Sequence, residues 1–286
     1  KFYAFLRRVA TIAEKQPKLV LLENVKGLRS MRNPDGTLVL DQILKALTKP
    51  RRMNTGGRPK LKQGKGLLEY YVPEPKILNA RDFGLPQNRE RLFIIAIRND
   101  IASSVQLKSG DIFNWPAASV NREDLTVNLV LEENVPDKYT ISPKLWSSHQ
   151  ARKKRNKEAG KGFGYQAFYP SDKYVSTISA RYFKDGAEAL ILQDGKPPRK
   201  LTPREGARLQ GFPEDFILHE SDMKAFKQIG NAVPVTVVDA IAKEIYGQGL
   251  LGGLHTLAME NTKSQEAKNP FFGKIRGFLE VIFKKG

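Results

Sequence analysis

Residues 92–97 read LFIIAI, six apolar residues in unbroken succession, and this run constrains the fold more than any other feature. Such a run fits a strand buried within a sheet. A shorter one, KLVLL, occupies residues 18–22. Around them the apolar residues fall at helical spacing. Phe2, Phe5, Leu6, Val9, Ile12 and Ala13 predict an amphipathic helix over 2–14, and Leu40, Ile43, Leu44 and Leu47 another over 38–48. The order helix, strand, helix predicts an α/β architecture with a parallel sheet.

The remainder of the chain changes character twice. Residues 49–66 are rich in Gly, Pro and basic residues, with eight Lys or Arg and no acid from Lys45 to Lys65, which reads as a loop or basic arm. Tyr70, Val72 and Ile77 predict a strand within 67–78. Pro116 marks a boundary, and 119–199 interleave Gly, Tyr, Phe and Lys without helical period, which predicts a smaller, irregular β-rich module. Thr202, Pro203 and Glu205 are a capping box with proline at the first helical position, so a short helix is predicted over 203–210, stopped by Gly211. Val238, Ile241, Ala242 and Ile245 predict a helix over 235–246 that ends at Gly247. A linker and a basic, amphipathic tail follow over 247–286. The expected division is 1–118, 119–222, 223–246 and 247–286.

A formal charge of +18 predicts an acidic partner, nucleic acid first and an anionic membrane surface second. No apolar run is long enough for a transmembrane helix. The absence of cysteine excludes disulfides, Cys-ligated zinc, iron–sulfur clusters and a cysteine nucleophile from this chain. Three scattered histidines, His149, His219 and His255, argue against a metal site, so none is expected. The first residue is not Met and no signal peptide is recognisable, which fits a start inside a longer polypeptide.

Four places could carry chemistry, and each has a plainer alternative. Glu23 follows the first strand, where open α/β sheets hold ligands, or it is a turn residue. Arg89 and Arg91, in PQNRER, are two apart and would share one face of an extended chain as a fork for phosphate or carbonyl oxygens, or they are a solvated strand start. Gly230 and Asn231, in QIGNAVP, form a turn before a helix whose free N–H groups suit a polar ligand, or an ordinary helix start. Arg152, Lys153, Lys154 and Arg155 lead a basic run followed by GFGYQAFYP, a pairing of phosphate contacts with base-reaching aromatics or else a solvated face.

The order of these blocks is more specific than any one of them. ENV at 23–25, PQNRER at 86–91, RKLTPREGARLQGFP at 199–213 and QIGNAVP at 228–234 closely resemble the later motifs of the C5-cytosine DNA methyltransferases. The stretch from GFGYQAFYP through STISARYFKDGAEALI is similar to recognition regions of bacterial restriction–modification enzymes. The resemblance spans about residues 1–246 and implies a partial doubly wound, Rossmann-like methyltransferase domain with a smaller β-rich target-recognition domain. It implies that Glu23 contacts N3 and the exocyclic amine of a flipped cytosine, that Arg91 reaches its O2, and that Arg89 supports Arg91 and the backbone nearby. It further implies that Asn231, Ala232 and Val233 help close the pocket for S-adenosylmethionine. Thr177 and Ile178 stand where the family has a Thr-Leu pair in its recognition region.

One departure matters. The family's nucleophile is a Pro-Cys cysteine upstream of the glutamate, and its cofactor loop is Gly-rich and also upstream; this chain has no cysteine. The resemblance therefore implies the C-terminal portion of an enzyme, inactive alone, with double-stranded DNA as substrate. Its thiol would come from an N-terminal segment or partner subunit, and its place would be the cytoplasm, at the nucleoid. A non-catalytic DNA-binding remnant and a tRNA methyltransferase of the same superfamily are the alternatives.

Overall fold

The computed structural model describes residues 15, 17–48, 69–105 and 113–251. The expected helix over 2–14, the basic arm over 49–66 and the tail beyond 251 lie outside the described residues. The chain divides into two units. One takes Lys1–Leu78, Glu90–Pro116 and Ile241–Met259; the other takes Asn79–Arg89, Ala117–Ala240 and Glu260–Gly286.

In the first unit the apolar run sits inside strand β5 (Glu90–Arg98). Leu92 through Ile97 are all at most 2% exposed. Strand β1 (Leu19–Val25) pairs with β5, from Leu19 opposite Ile97 to Val25 opposite Arg91, and β2 (Tyr70–Tyr71) and β3 (Lys76–Asn79) pair with β5 as well. Pro73 and Pro75 lie between β2 and β3; a proline has no N–H for a ladder, so the single strand expected over 67–78 is two short ones. Helix α1 (Val39–Thr48) buries Val39, Leu40, Ile43, Ala46 and Leu47. Leu92, Ile94 and Ala96 share a core with this helix, and burial of each Leu or Ile is worth about 1.5–3 kcal/mol.

The expected parallel pairing is corrected here. β1 and β2 both run antiparallel to β5. An apolar run reports that both faces of a strand are covered, and it carries no information on strand direction. β1 is also less buried than its sequence suggests, with Val20 its one buried residue at 9% exposure, because it ends the order β1-β5-β2. A short helix α2 (Asn99–Ser104) follows β5.

The second unit is built from short strands and helices. β4 (Gln87–Asn88) pairs in parallel with β7 (Val175–Ser176), and β6 (Ala167–Phe168) with β8 (Leu190–Gln193); β9 (Lys196–Arg199) runs antiparallel to β8. Fully buried Tyr182 anchors the core: its hydroxyl donates to Ala189 O at 2.6 Å and accepts from Leu201 N–H at 2.8 Å. Helix α4 (Pro203–Leu209) has the capping box that the sequence signals. Buried Arg199 grips Glu205 of this helix with two hydrogen bonds, 2.8 and 2.7 Å.

Besides α2, two helices escape the sequence reading. α3 (Pro143–Glu158) buries only His149, so it has no apolar period to detect, although Ser142 caps it and Pro143 sits in its first turn. α5 (Asp222–Asn231) buries Ala225, Phe226 and Ile229. Helix α6 (Val235–Gly247) begins in the second unit and ends in the first. Among the described residues no helix is long and apolar enough to cross a membrane.

Candidate functional site

Glu23 is inside β1 rather than past its end, opposite Phe93 of β5. Arg91 is two residues along β5, so the two side chains are diagonal neighbours on one sheet face. Arg91 Nε lies 3.0 Å from Glu23 Oε1, with the side chains 14% and 26% exposed. Arg91 also donates through Nη1 to the Glu90 carbonyl at 2.8 Å. Its Nη2 and the second Glu23 oxygen have no hydrogen bond among the described residues. Burial lowers the Arg91 pKa, and the neighbouring Glu23 carboxylate opposes that shift. A guanidinium stays charged regardless. Lys26 and Glu90 flank the pair with an ion pair of 2.9 Å. The arrangement offers an acceptor and a charged donor side by side.

Arg89 behaves differently. Its own N–H donates to the Gln87 carbonyl at 2.8 Å, and the residue lies between β4 and β5 instead of within either. The alternation that would give Arg89 and Arg91 one face is broken there, which corrects the expectation of a shared fork. Arg89 is 2% exposed and donates to the carbonyl oxygens of Ile178 at 3.1 Å, Gly230 at 3.0 Å and Ala232 at 2.8 Å. Gln87, fully buried, works beside it: its amide donates to Leu209 O and its oxygen accepts from Ile178 N–H. Arg89 is thus a clamp on backbone carbonyls.

The clamp holds two of the sequence blocks together. Gly230 lies against the Ser179–Ala180 peptide so closely that a Cβ would stand 2.3 Å from Ser179 C. A helix does follow, at Val235, but Gly230 and Asn231 are the last residues of α5 and not the expected turn; Ala232 and Val233 belong to the connection to α6. Asn231 is exposed, and Ala232 and Val233 are half-buried. Buried Thr236 Oγ1 and Gln210 Oε1 have no hydrogen-bond partner among the described residues. The Thr177 hydroxyl donates to Asn88 O at 2.7 Å. Ile178 is 0% exposed within the core, so its side chain packs and touches no ligand.

The four consecutive cations expected to act as one patch lie on α3. A helix turns about 100° per residue, so they point in different directions. Arg152 is engaged internally, 3.2 Å from Asp185 Oδ2 and 2.8 Å from His149 Nδ1. His149 Nε2 lies 3.2 Å from Asp185 O, which fits a neutral ring that accepts at Nδ1 and donates at Nε2. Burial is the main cause that lowers its pKa, and Arg152 adds to it against the opposing pull of Asp185. Lys153 Nζ stands 4.5 Å from the Tyr165 ring centroid. Lys154 and Arg155 are exposed.

A family model of the C-5 cytosine-specific DNA methylases matches residues 60–247. The chain belongs to this family. It is 44% identical over 241 residues to the Type II methyltransferase M1.ScrFI of Lactococcus lactis subsp. cremoris, covering 84% of this chain and 54% of that protein. It is 41% identical over 234 residues to the Type II methyltransferase M.SsoII of Shigella sonnei, covering 82% and 54%. The chain spans about half the length of these curated relatives. Among solved structures, a methyltransferase of Entamoeba histolytica superposes with a TM-score of 0.59 at 17% identity, covering 85% of this chain and 68% of that one. The Dnmt2 methyltransferase of S. pombe gives 0.55 at 16%, covering 84% and 71%. These likenesses establish an α/β methyltransferase fold.

Sequence reading of this methylase chain missed Gln87, Gly230 and the Arg199–Glu205 pair as organisers of the second unit. Gly230 stands in the QIGNAVP motif and Gln87 beside Arg89, yet their tasks are contacts across 50 and more residues, which no local pattern displays.

Proposed function

We propose that this chain is the C-terminal, target-reading portion of a DNA cytosine-5 methyltransferase of restriction–modification type. The observation that carries the reading is the Glu23–Arg91 pair, 3.0 Å apart, each with a hydrogen-bonding atom left over. Glu23 would hold a hydrogen bond or proton at N3 of an everted cytosine, and its free oxygen would accept from the exocyclic amine. Arg91 Nη2 would donate to O2. Both contacts draw charge from the ring as a thiolate adds at C6, which stabilises the carbanion that develops at C5. The base must leave the stack, because C6 cannot be attacked inside a duplex. The thiolate comes from a segment or subunit outside these residues, since the chain holds no cysteine. By itself the chain would be inactive.

S-adenosylmethionine would supply the methyl group as an electrophile. Asn231 is exposed and its side-chain amide carries both a donor and an acceptor, which fits a hydrogen-bonding edge of that molecule, so Asn231, Ala232 and Val233 would hold part of it. Residues 119–222, with Thr177 and the α3 cations Lys153, Lys154 and Arg155, would hold double-stranded DNA. The test is complementation. The chain is mixed with a polypeptide carrying the cofactor loop and thiol, and tritiated methyl transfer to duplex DNA is followed. Incorporation above that of either part alone supports the reading. Background incorporation by an associated pair leaves a non-catalytic DNA binder.

A further inference from the structure

The second unit has two hollows that share Gly162 and Phe163 in their walls. One has a volume of about 450 Å³ and is lined by Arg152, Arg181, Lys184, Asp185 and Glu188. The other is lined by Lys153, Lys157 and Lys161, with no acid. Phe163 stands between them, 55% exposed. Gly164 brings the chain back against α3, where a Cβ would lie 2.8 Å from Lys153 Cα, so the wall between the hollows is fixed to the helix.

The charges separate their tasks. Three lysines without an acid suit phosphates. In the first hollow, Arg152, Arg181 and Lys184 share the wall with Asp185 and Glu188, and this mixture of donors and acceptors suits a base edge better than a phosphate. Arg152 is already bound to Asp185 and His149. The Arg181 guanidinium has no ion pair or hydrogen bond among the described residues. Its backbone is nonetheless held. Arg181 N–H donates to Ser179 Oγ at 3.1 Å, and that hydroxyl donates to Glu188 Oε1 at 2.6 Å. The next residue is the buried anchor Tyr182. A free guanidinium on a rigid turn, aimed at a hollow of this size, is a preorganised donor pair.

We infer that Arg181 is a specificity-determining residue that reads guanine O6 and N7 through the major groove, with the lysine-lined hollow seating the adjacent phosphates. Arginine is the side chain whose two parallel N–H donors match that guanine edge. The inference rests on the proposed DNA substrate and adds which residue reads a base and which base it reads.

The experiment is selection of bound duplexes from a random library by the full chain, by Arg181→Ala and Arg181→Lys, and by Lys153→Gln/Lys157→Gln/Lys161→Gln. The wild type should enrich a motif with an invariant guanine. Arg181→Ala should lose preference at one G·C position by about ten- to hundredfold and keep the other positions. Its binding to mixed-sequence duplex should fall far less than its binding to the selected motif, because the non-specific part is set by phosphate contacts. Arg181→Lys should retain an intermediate preference, and the triple variant should weaken all sequences alike. An unchanged motif in Arg181→Ala, an equal loss on every sequence, or a wild type without preference would overturn the inference and leave the DNA reading standing. No duplex binding by the wild type would remove the DNA reading and the inference with it.

Discussion

Replacing Arg89 should damage stability far more than replacing Arg91, although the two stand in one motif. Arg89 is 2% exposed and donates to three carbonyls. A hydrogen bond from a charged donor contributes about 1.5–3 kcal/mol, so three amount to roughly 5–9 kcal/mol. Arg89→Met also removes the cost of burying the guanidinium, which is several kcal/mol. The net loss should be about 2–4 kcal/mol, a large share of a domain's total of about 5–15 kcal/mol. Arg91→Met breaks a partly exposed pair and should cost about 1 kcal/mol or less. The assay is urea unfolding read by tryptophan fluorescence. Trp146 belongs to the second unit with Arg89, and Trp115 to the first with Arg91. In a Trp115→Phe background, Arg89→Met should move the Trp146 transition to lower urea, and Arg91→Met should leave it in place. Equal shifts from the two variants, or a shift for Arg89→Met worth less than about 1 kcal/mol, would refute the clamp.

Neutralising Lys153, Lys154 and Arg155 together should weaken duplex binding across sequences and flatten its salt dependence by about 0.9 log units per lost phosphate contact; an unchanged salt slope would show that they touch no phosphate. His149 has a pKa lowered from its ordinary value of about 6.5, so the unfolded chain takes up more protons and stability falls as pH drops through that range. His149→Gln should therefore show a smaller fall in Tm between about pH 7.5 and pH 5.5 than the wild type, and an equal fall would contradict the assignment. Gly230→Ala forces a Cβ into the Ser179–Ala180 peptide and should lower Tm and duplex binding together, whereas an unchanged Tm would mean that the two segments separate freely.

Much of this structure is legible locally. The LFIIAI run becomes the central strand, and the Thr202-Pro203-Glu205 signature becomes a capped helix. Both depend on neighbouring residues alone. Strand direction did not follow, because covered faces look alike in parallel and antiparallel sheets. Helix α3 was invisible because it presents one buried residue in sixteen. Arg89 and Arg91 are the same letter two places apart, and only tertiary contacts make one a backbone clamp and the other half of an acid–guanidinium pair. Ile178 likewise reads as a recognition residue by position and is a core residue by burial. The Glu23–Arg91 pairing was anticipated through the family resemblance rather than from spacing, since 68 residues separate the two.

The most direct measurement compares methyl transfer and duplex binding for Glu23→Gln in the reconstituted enzyme. An amide keeps the size of the carboxyl group but cannot supply a proton to N3 of the ring. The account predicts that transfer falls by at least about a hundredfold, with duplex affinity changed by no more than a few-fold. Equal losses in transfer and affinity, or transfer at the wild-type rate, would contradict it.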